Sequence, residues 1–378
     1  MPVTPIHLDL LPLSTWLKSG KRKLIIAGPC GAESEEQVLE TAKGIATNGK
    51  VSLFRSGVWK PRSRPGSFEG KGEDALKWLN RVQNEIGLPV AVEVANAEHV
   101  ELALKYGVDV LWIGARTTVN PFSVQEIADA LKGVDIPVLV KNPVNPDIML
   151  WLGALERINR AGIKKLGAIH RGFHTSLHTQ YRNAPMWEIA IELKASCPGL
   201  PVICDPSHIS GRRDLIHDVA QRALDLDMDG LMIEAHRNPG EALSDAEQQL
   251  TPAVLNQLLE KLIMRETSIG DAGFEHMLST LREVIDEIDD EIIQALSRRM
   301  QVVERIGEFK YAHGVTILQI ERWLEILRTR TDAAESLGID KDLAVELCQL
   351  LHKASIRRQT EVMKREEDTD DESTDRTA

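Results

Sequence analysis

Hydrophobic positions in the first two thirds of the chain form short runs rich in valine and isoleucine, spaced at about 25 to 35 residues. Runs of this kind are typical of parallel strands buried on both faces. The eight runs are Leu24 to Pro29, Ser52 to Val58, Pro89 to Val94, Val108 to Gly114, Pro137 to Val140, Lys165 to Ile169, Pro201 to Cys204 and Gly230 to Ile233. Helical patterns fill the intervals, for example Ser34 to Thr47, Asp74 to Ile86, Glu98 to Tyr106, Val124 to Leu131 and Ala253 to Met264. The pattern predicts an α/β fold with a closed (β/α)8 barrel, the TIM barrel, and a doubly wound open sheet is the alternative.

The pattern changes after about residue 264, where the strand-like runs stop. From Phe274 to His313 the sequence predicts one helix about 60 Å long. Its apolar residues form a heptad-like stripe at Leu281, Ile285, Ile288, Ile292, Leu296, Val303 and Ile306. Two further helices, at about Gln319 to Ser336 and Lys341 to Lys364, are too short to bury this stripe alone. We therefore expect a partner chain to complete the bundle in an intertwined dimer.

These patterns divide the chain into four segments. A barrel domain covers residues 1–264, and residues 265–273 have the composition of a linker. An all-α domain with a long first helix covers residues 274–365. The acidic tail, residues 366–378, is predicted to be disordered because it lacks the apolar residues that a packed core needs.

Composition and charge exclude several classes of protein. At 378 residues the chain is long enough for two domains, and its net charge of -12 argues against a general nucleic-acid binder. No apolar run approaches the roughly 18 residues that span a bilayer, and no secretory signal is recognisable. The four cysteines form no Cys-x-x-Cys pair. A cytoplasmic protein that binds neither nucleic acid nor membrane is expected.

Polar and reactive residues follow all eight predicted strands. In (β/α)8 barrels the carboxyl ends of the strands form the active-site face, so these residues are expected to converge there. The motifs are Gly28-Pro29-Cys30, Lys60-Pro61-Arg62-Ser63, Glu93, Gly114-Ala115-Arg116-Thr117, Lys141-Asn142-Pro143, His170-Arg171-Gly172, Asp205-Pro206-Ser207-His208 and Glu234-Ala235-His236. Alone, the basic turn at Lys60 to Gly66 is more typical of a solvated loop. With the seven other strand ends, it indicates an active site.

Two kinds of chemistry are combined at this face. The cations are suited to several phosphate or carboxylate groups at once, and they are Arg55, Lys60, Arg62, Arg116, Lys141 and Arg171. Cys30, His208 and Glu234, with Asp245 beyond the last strand, offer the mixed sulfur, nitrogen and oxygen donors that a divalent transition metal accepts. The sequence therefore predicts a polyanion pocket beside a metal site.

The barrel motifs together resemble 3-deoxy-D-arabino-heptulosonate 7-phosphate (DAHP) synthase, short type I form, the first enzyme of the shikimate pathway. The resemblance covers about residues 20–262. It implies a metal-dependent condensation of phosphoenolpyruvate with erythrose 4-phosphate to DAHP and phosphate. The related octulosonate phosphate synthases lack the Pro-Arg pair of Lys60-Pro61-Arg62-Ser63, which favours the four-carbon aldehyde.

The resemblance also implies roles for individual residues. Arg55, Lys60 and Lys141 would face the phosphoenolpyruvate carboxylate region, and Arg116 and Arg171 would bind its phosphate. Arg62 and Ser63 would bind the phosphate of erythrose 4-phosphate. The metal would be bound by Cys30, His208, Glu234 and Asp245. Mn2+ is the expected ion, with Fe2+, Co2+ and Zn2+ as alternatives.

Charged residues lie near the apolar stripe of the long helix. At about 100° per residue, Arg299 and Lys310 lie within roughly 40° of the stripe, where a plain dimerising coiled coil would have apolar residues. An anionic ligand inside the bundle is the competing interpretation. Together with Arg282, Arg322, Ser355 and Gln359, these residues resemble the all-helical chorismate mutases over about residues 275–365.

This second resemblance implies rearrangement of chorismate to prephenate. Arg299, Lys310 and Arg322 would bind the carboxylates and ether oxygen, with Gln359 as a second donor to that oxygen and Ser355 nearby. Arg282 would reach into the partner's site. The chain departs from the family at Trp323, where a glutamate is usual.

The expected function is a bifunctional enzyme of aromatic amino acid biosynthesis that acts as a homodimer or higher oligomer. The alternative is a single-activity DAHP synthase whose helical domain is a dimerisation and effector-binding module. In either case prephenate or chorismate bound to the helical domain is expected to inhibit the barrel allosterically.

Overall fold

The computed structural model describes residues 5–16, 23–60, 66–176, 179–265 and 270–375, with side chains described as far as residue 368. The chain divides into two compact units, Met1–Thr267 and Ser268–Ala378. The first is an α/β unit and the second is helical. Each is described by itself below.

The first unit is a closed barrel of eight parallel strands. Each strand pairs with the next along the chain, and the last pairs with the first. The strands are β1 Leu24–Gly28, β2 Leu53–Ser56, β3 Val90–Val94, β4 Val110–Ile113, β5 Val138–Lys141, β6 Leu166–His170, β7 Val202–Cys204 and β8 Gly230–Glu234. All eight lie within the predicted runs or end one residue beyond them. The barrel prediction is confirmed, and the open sheet is excluded by the pairing of β1 with β8.

Helices surround the barrel in the intervals between strands. They are α1 Glu35–Ala46, α2 Glu73–Arg81, α3 Ala97–Lys105, α4 Ala115–Thr118, α5 Pro121–Ala130, α6 Ile148–Arg160, α7 Trp187–Ser196, α8 Pro206–Ser210, α9 Ile216–Asp225 and α10 Pro252–Lys261. A π-helical turn, Val82–Ile86, extends α2. Several helices begin at side-chain caps, for example Ser34 before α1 and Asp205 before α8, which satisfy backbone N–H groups of the first turn.

The barrel core has two layers because parallel strands are buried on both faces. Side chains that fill the interior include Ile26, Leu53, Trp112, Ile169 and Met232, and a larger layer packs between strands and helices. A short turn, Ala246–Gln248, lies between β8 and α10, and its N-cap residue Asp245 has φ of 47°. The packed interior leaves the carboxyl ends of the strands as the place for polar groups.

The second unit consists of three helices, α11 Ala272–Ala312, α12 Ile320–Ser336 and α13 Lys341–Asp375. α13 packs against both α11 and α12. A Cβ on Gly307 of α11 would lie 3.3 Å from Val362 of α13, so the small residue allows these helices to approach closely. The first two helices lie where the sequence predicts, and the third begins at Lys341 as predicted but continues 11 residues beyond Lys364.

The apolar stripe is exposed in the first half of α11. Leu281, Ile285, Ile288 and Ile292 are each at least half exposed, whereas Val303, further along the stripe, is buried against the unit's own helices. Ile306, at the end of the stripe, is also exposed, so one chain covers only part of this stripe, around Val303.

Two segments were predicted to lack regular structure, the linker at residues 265–273 and the acidic tail at residues 366–378. Within the predicted linker, residues 266–269 lie outside the described residues. The backbone of α13 is helical as far as Asp375 and so includes most of the acidic segment. Disorder of that segment stays a prediction from composition. In the parts of the chain that the structure describes, no helix has the length and apolarity needed to cross a membrane.

Candidate active sites

A cavity of about 370 Å³ opens at the carboxyl ends of the barrel strands. Its lining residues are Lys60, Glu93, Ala115, Arg116, Lys141, Val144, Arg171, His174, Arg182, Asn183, His208 and Asp245. Four of the six cations named from the sequence are in this set. The strand ends therefore converge, and they carry positive charge into one cavity.

Arg55 lies deeper, inside the barrel, and is 3% exposed. Its Nη1 is 3.2 Å from Glu234 Oε1, and its guanidinium carbon lies 4.9 Å from the centre of the Trp112 ring. Burial alone would lower the pKa of Arg55, but Glu234 and the other acidic groups nearby outweigh it and raise the pKa. The side chain is a fixed cation beneath the cavity.

Lys141, Asp205 and His208 form a buried charge cluster. Asp205 Oδ2 lies 2.8 Å from Lys141 Nζ and 2.8 Å from His208 Nδ1. Burial alone would raise the pKa of Asp205, but His208 and Lys141 hold it well below its usual value. A neutral His208 ring with its proton on Nδ1, the nitrogen that faces this carboxylate, would leave the lone pair on Nε2.

Cys30, Glu234 and Asp245 bring three potential metal-binding atoms within 4.8 Å of one another. Cys30 Sγ is 3.2 Å from Asp245 Oδ2 and 2.6 Å from Lys60 Nζ. His208 lies beside this group, with Nε2 3.9 Å from Glu234 Oε1. Three of the four predicted ligands therefore form one cluster, and the fourth is adjacent.

The acid–base properties of this cluster follow from its burial. Burial, reinforced by Glu234, raises the pKa of the Cys30 thiol to about 12. For Glu234, burial is outweighed by His208 and Arg55, and the pKa is lowered. The pKa of Asp245 is also lowered, chiefly because Arg182 and His208 outweigh its burial. The cluster thus combines a protonated thiol with two carboxylates.

Arg171 is oriented from two sides at the end of β6. Its Nη1 donates to Asn183 Oδ1 at 2.7 Å, and its backbone N–H donates to Asn142 Oδ1 at 2.7 Å. Burial lowers the pKa of Arg171 to about 10, so it stays charged at neutral pH. Arg62 and Ser63 lie outside the described residues, and their predicted phosphate site stays a prediction.

In the helical unit, Arg299 of α11 and Ser355 of α13 are brought together. Arg299 Nη1 donates to Ser355 Oγ at 2.8 Å. Gln359 lies one turn further along α13 and is buried, and among the described residues no hydrogen bond reaches its Oε1. This part of the predicted mutase site therefore exists within one chain.

Lys310 lies near the end of α11, and its Nζ donates to the carbonyl of Ile317 at 2.5 Å. Burial lowers its pKa. It borders a groove of about 830 Å³, whose lining residues are Val302, Arg305, Ile306, Glu308, Phe309, Lys310, Val315 and Gln319. Among the described residues, the hydrogen-bond partner of Lys310 is thus the neutral carbonyl group of Ile317.

The remaining predicted mutase residues are more exposed. Arg322 is exposed and pairs with Glu325 at 2.6 Å. Arg282 is exposed and lies seventeen residues before Arg299, or about 26 Å along an ideal helix. Trp323 stacks on His352 with ring centroids 4.0 Å apart. Within one chain, Arg282 is not brought to Arg299.

Sequence reasoning missed several residues at the barrel mouth. Arg182 and Asn183 line the cavity, and Gln248 contacts Glu234, but none of them directly follows a strand. Asp205 was named only as part of a motif, yet it joins Lys141 to His208. Asp205 directly follows a predicted strand, and this position could have identified it, whereas the loop residues carry no recognisable pattern.

The geometry defines a (β/α)8-barrel enzyme with a cationic cavity next to a cluster of metal-binding side chains. The family model described as the DAHP synthetase I family matches residues 14–269, and the chain belongs to this family. The model described as chorismate mutase type II matches residues 281–360. The chain therefore combines a DAHP synthase domain with a chorismate mutase domain, which supports a bifunctional enzyme.

Similar proteins include both classes of barrel aldolase. A phospho-2-dehydro-3-deoxyheptonate aldolase from Thermotoga maritima is 31% identical over 246 residues, which is 65% of this chain and 70% of the relative. The crystal structure of a DAHP synthase from Thermotoga maritima superposes with a TM-score of 0.58 at 30% identity, covering 64% of this chain and 68% of the other. A 2-dehydro-3-deoxyphosphooctonate aldolase from Acidithiobacillus ferrooxidans is 31% identical over 58% of this chain and 81% of its own length.

Proposed function

We propose that the barrel condenses phosphoenolpyruvate with erythrose 4-phosphate, and that the helical domain rearranges chorismate to prephenate. The observation that carries the first activity is the cationic cavity next to the Cys30, Glu234 and Asp245 cluster. Two phosphorylated anions repel each other in solution, and several fixed cations offset that repulsion in one cavity. The match to the chorismate mutase model supports the second activity.

In the condensation, a bond forms between C3 of phosphoenolpyruvate and the aldehyde carbon. Water adds at C2, and the phosphate group leaves from C2. Arg116 and Arg171 are proposed to bind the phosphate of phosphoenolpyruvate, and Lys60, Lys141 and Arg55 to face its carboxylate region. Arg62 and Ser63 are proposed to bind the phosphate of the aldehyde. Fixing the two substrates in the attack geometry can lower the barrier by roughly 7 kcal/mol.

Enzymes of the DAHP synthase family are generally metal-dependent, and the residues of this chain fit a metal. Cys30, Glu234 and Asp245 supply sulfur and oxygen donors, and His208 Nε2, which lies 3.9 Å from Glu234 Oε1, would add a nitrogen donor. Glu234 Oε1 is buried and accepts no hydrogen bond in the described structure. We propose Mn2+, with Fe2+, Co2+ or Zn2+ as substitutes, which when bound supplies a Lewis acid for the aldehyde oxygen.

For the mutase, Arg299 and Lys310 are proposed to bind the carboxylates and ether oxygen of chorismate, together with Arg322 and Gln359, and Ser355 orients Arg299. The rearrangement needs no nucleophile or proton transfer, so the residues select the compact conformer and stabilise charge on the breaking bond. We propose that a partner chain covers the exposed stripe of α11 and supplies Arg282, in a homodimer or higher oligomer.

Reciprocal loss of activity in the full-length chain tests the two-activity proposal. Lys60→Ala removes the cation that contacts Cys30 Sγ and lines the cavity, so the condensation rate is expected to fall about 10²- to 10³-fold. Mutase turnover should be unchanged. Arg299→Ala should give the opposite result, with mutase turnover about 10²-fold lower.

Surface variants Lys105→Ala and Arg358→Ala are the controls, because both side chains are exposed and paired with surface acids. A wild-type chain that releases phosphate but never forms prephenate would leave the single-activity alternative, a synthase with an effector-binding helical module. If the barrel accepted a pentose phosphate instead of erythrose 4-phosphate, it would be an octulosonate phosphate synthase.

Feedback inhibition is a further part of the proposal. A product of the helical domain, prephenate, or its substrate, chorismate, is proposed to inhibit the barrel when bound in the bundle. The measurement is the condensation rate at saturating prephenate, and an unchanged rate removes the regulatory role. The cytoplasmic location stays a prediction from sequence.

A further inference from the structure

Gln248 is a deeply buried polar side chain beside the metal-binding cluster, and it has no role in the proposal above. It is 1% exposed and lies at the end of the short turn that follows Asp245. A buried amide is costly unless its polar atoms have partners. Both ends of this amide are used: Oε1 accepts from Arg182 Nη1 at 2.7 Å, and Nε2 donates to Glu234 Oε2 at 2.7 Å.

The chemistry of these partners fixes the orientation of the amide. A guanidinium group only donates hydrogen bonds, and an ionised carboxylate only accepts them, so exchanging the amide oxygen and nitrogen would break both bonds. Glu234 therefore presents Oε2 to Gln248. Its other oxygen, Oε1, contacts Arg55 Nη1 at 3.2 Å without accepting a hydrogen bond and is directed to the cluster.

Arg182 connects this amide to the second carboxylate of the cluster. The same Nη1 that donates to Gln248 also donates to Asp245 Oδ1 at 3.0 Å. The other oxygen of this carboxylate, Oδ2, is 3.2 Å from Cys30 Sγ. One guanidinium group thus engages the outer oxygen of Asp245 directly and the outer oxygen of Glu234 through Gln248.

The geometry points to Arg182 and Gln248 as positioning residues that present Glu234 and Asp245 to the metal through one oxygen each. The inference rests on the proposed metal site, and it adds two residues that do not contact the ion. Such outer partners typically change metal affinity by about 10- to 100-fold. Removing either residue is expected to free a carboxylate to rotate and thereby weaken binding.

The test is a titration of Co2+ alone into metal-free, full-length protein, followed by the charge-transfer absorption of the Cys30 thiolate. Gln248→Leu, which keeps the approximate volume, should raise the dissociation constant about 10-fold or more. Arg182→Ala should do the same. If the two act as one unit, the double variant should lose little beyond the larger single effect.

A matched Arg–Gln pair on the barrel surface provides the control. Arg157 Nη1 donates to Gln125 Oε1 at 2.8 Å, far from the cluster in sequence and between α5 and α6. Gln125→Leu should leave the Co2+ titration unchanged. Circular dichroism shows whether each variant is folded. If Gln248→Leu fails to fold, Gln248→Asn replaces it, which shortens the side chain and should also weaken Co2+ binding.

The outcomes separate this inference from the proposed function. If wild-type protein binds Co2+ through Cys30 and the folded variants bind it within about twofold, the positioning role is wrong and the metal site stands. If the single effects simply add, Arg182 and Gln248 do not act as a unit. If wild-type protein shows no thiolate band with Co2+, the metal assignment and this inference both fail.

Discussion

The two candidate anion sites of this chain use cations in different ways. In the barrel, the two buried cations lie against carboxylates: Arg55 against Glu234, and Lys141 against Asp205. In the helical unit, the two cations near the stripe have neutral partners, the hydroxyl of Ser355 and the carbonyl of Ile317. Arg55 and Lys141 therefore neutralise buried carboxylates and help to stabilise the fold, whereas Arg299 and Lys310 are available mainly for a ligand.

The two sites also differ in how much of each one chain supplies. The barrel cavity is lined by residues from several strand ends of a single closed sheet. In the helical unit, Arg282 is remote from Arg299, and the first half of the apolar stripe is exposed. One chain can therefore form the whole barrel cavity. A long helix, in contrast, stays exposed wherever no other helix packs against it.

The largest expected effect comes from removing a barrel cation. Lys141→Ala leaves Asp205 buried without its ammonium partner and should lower the free energy of unfolding by about 3 kcal/mol. Urea denaturation followed by tryptophan fluorescence measures this, because six of the seven tryptophans lie in the barrel unit.

The control for this variant is Lys165→Ala, which breaks a pair with the exposed Asp135. Its cost should be below about 1 kcal/mol. Arg299→Ala should likewise cost no more than about 1.5 kcal/mol, the usual limit for one hydrogen bond. If Lys141→Ala and Arg299→Ala lowered the free energy of unfolding equally, the two sites would not differ in how their cations contribute to stability.

An intermediate effect is expected from a charge in the exposed stripe. Ile288→Asp places a carboxylate where a partner chain should pack, and the dissociation constant of the oligomer should rise about 30-fold, or about 2 kcal/mol. Light scattering over a dilution series measures the change in mass, and mutase turnover should fall with it.

The companion variant Glu287→Lys changes a charge on the opposite face of the same helix and should leave the mass unchanged. If wild-type protein is monomeric at micromolar concentration, or if Ile288→Asp assembles normally, the stripe is covered in another way.

The smallest expected effect is a shift in pH dependence. Burial lowers the pKa of Lys310 below its usual value of 10.5, so the side chain loses its charge at a lower pH than a solvated lysine does. The mutase kcat/KM should therefore fall on the alkaline side, with a midpoint below 10.5. In Lys310→Arg the side chain stays charged, and the decline should move to higher pH. An unshifted midpoint in this variant assigns the decline to another group.

The sequence predicted the barrel well because each strand is an uninterrupted apolar run that needs no tertiary information to recognise. It also predicted which residues follow the strands, and hence Lys60, Arg116, Lys141 and Arg171 in one cavity. It could not predict Arg182 or Gln248. These lie in loops whose positions depend on the closed fold, and their partners are 63 and 14 residues away in the chain.

In the helical unit the sequence predicted the three helices and the proximity of Arg299 to Ser355, here on the basis of resemblance. The sequence could not predict which part of the stripe on α11 is buried within its own chain, because the same apolar pattern continues through both halves of the helix. Only the length and position of α13 decide that Val303 is covered and Ile288 is exposed.

The backbone segments approach each other closely where β1 and β2 end, and this has a consequence for inherited variation. A Cβ on Gly28 would lie 2.0 Å from the carbonyl oxygen of Arg55, and a Cβ on Gly57 would lie 2.2 Å from that of Cys30. Each glycine thus protects the neighbouring strand's functional residue from displacement. Any amino-acid substitution at either position adds a side chain, so a variant that touches neither substrate nor metal should behave in a genetic screen as an active-site null allele.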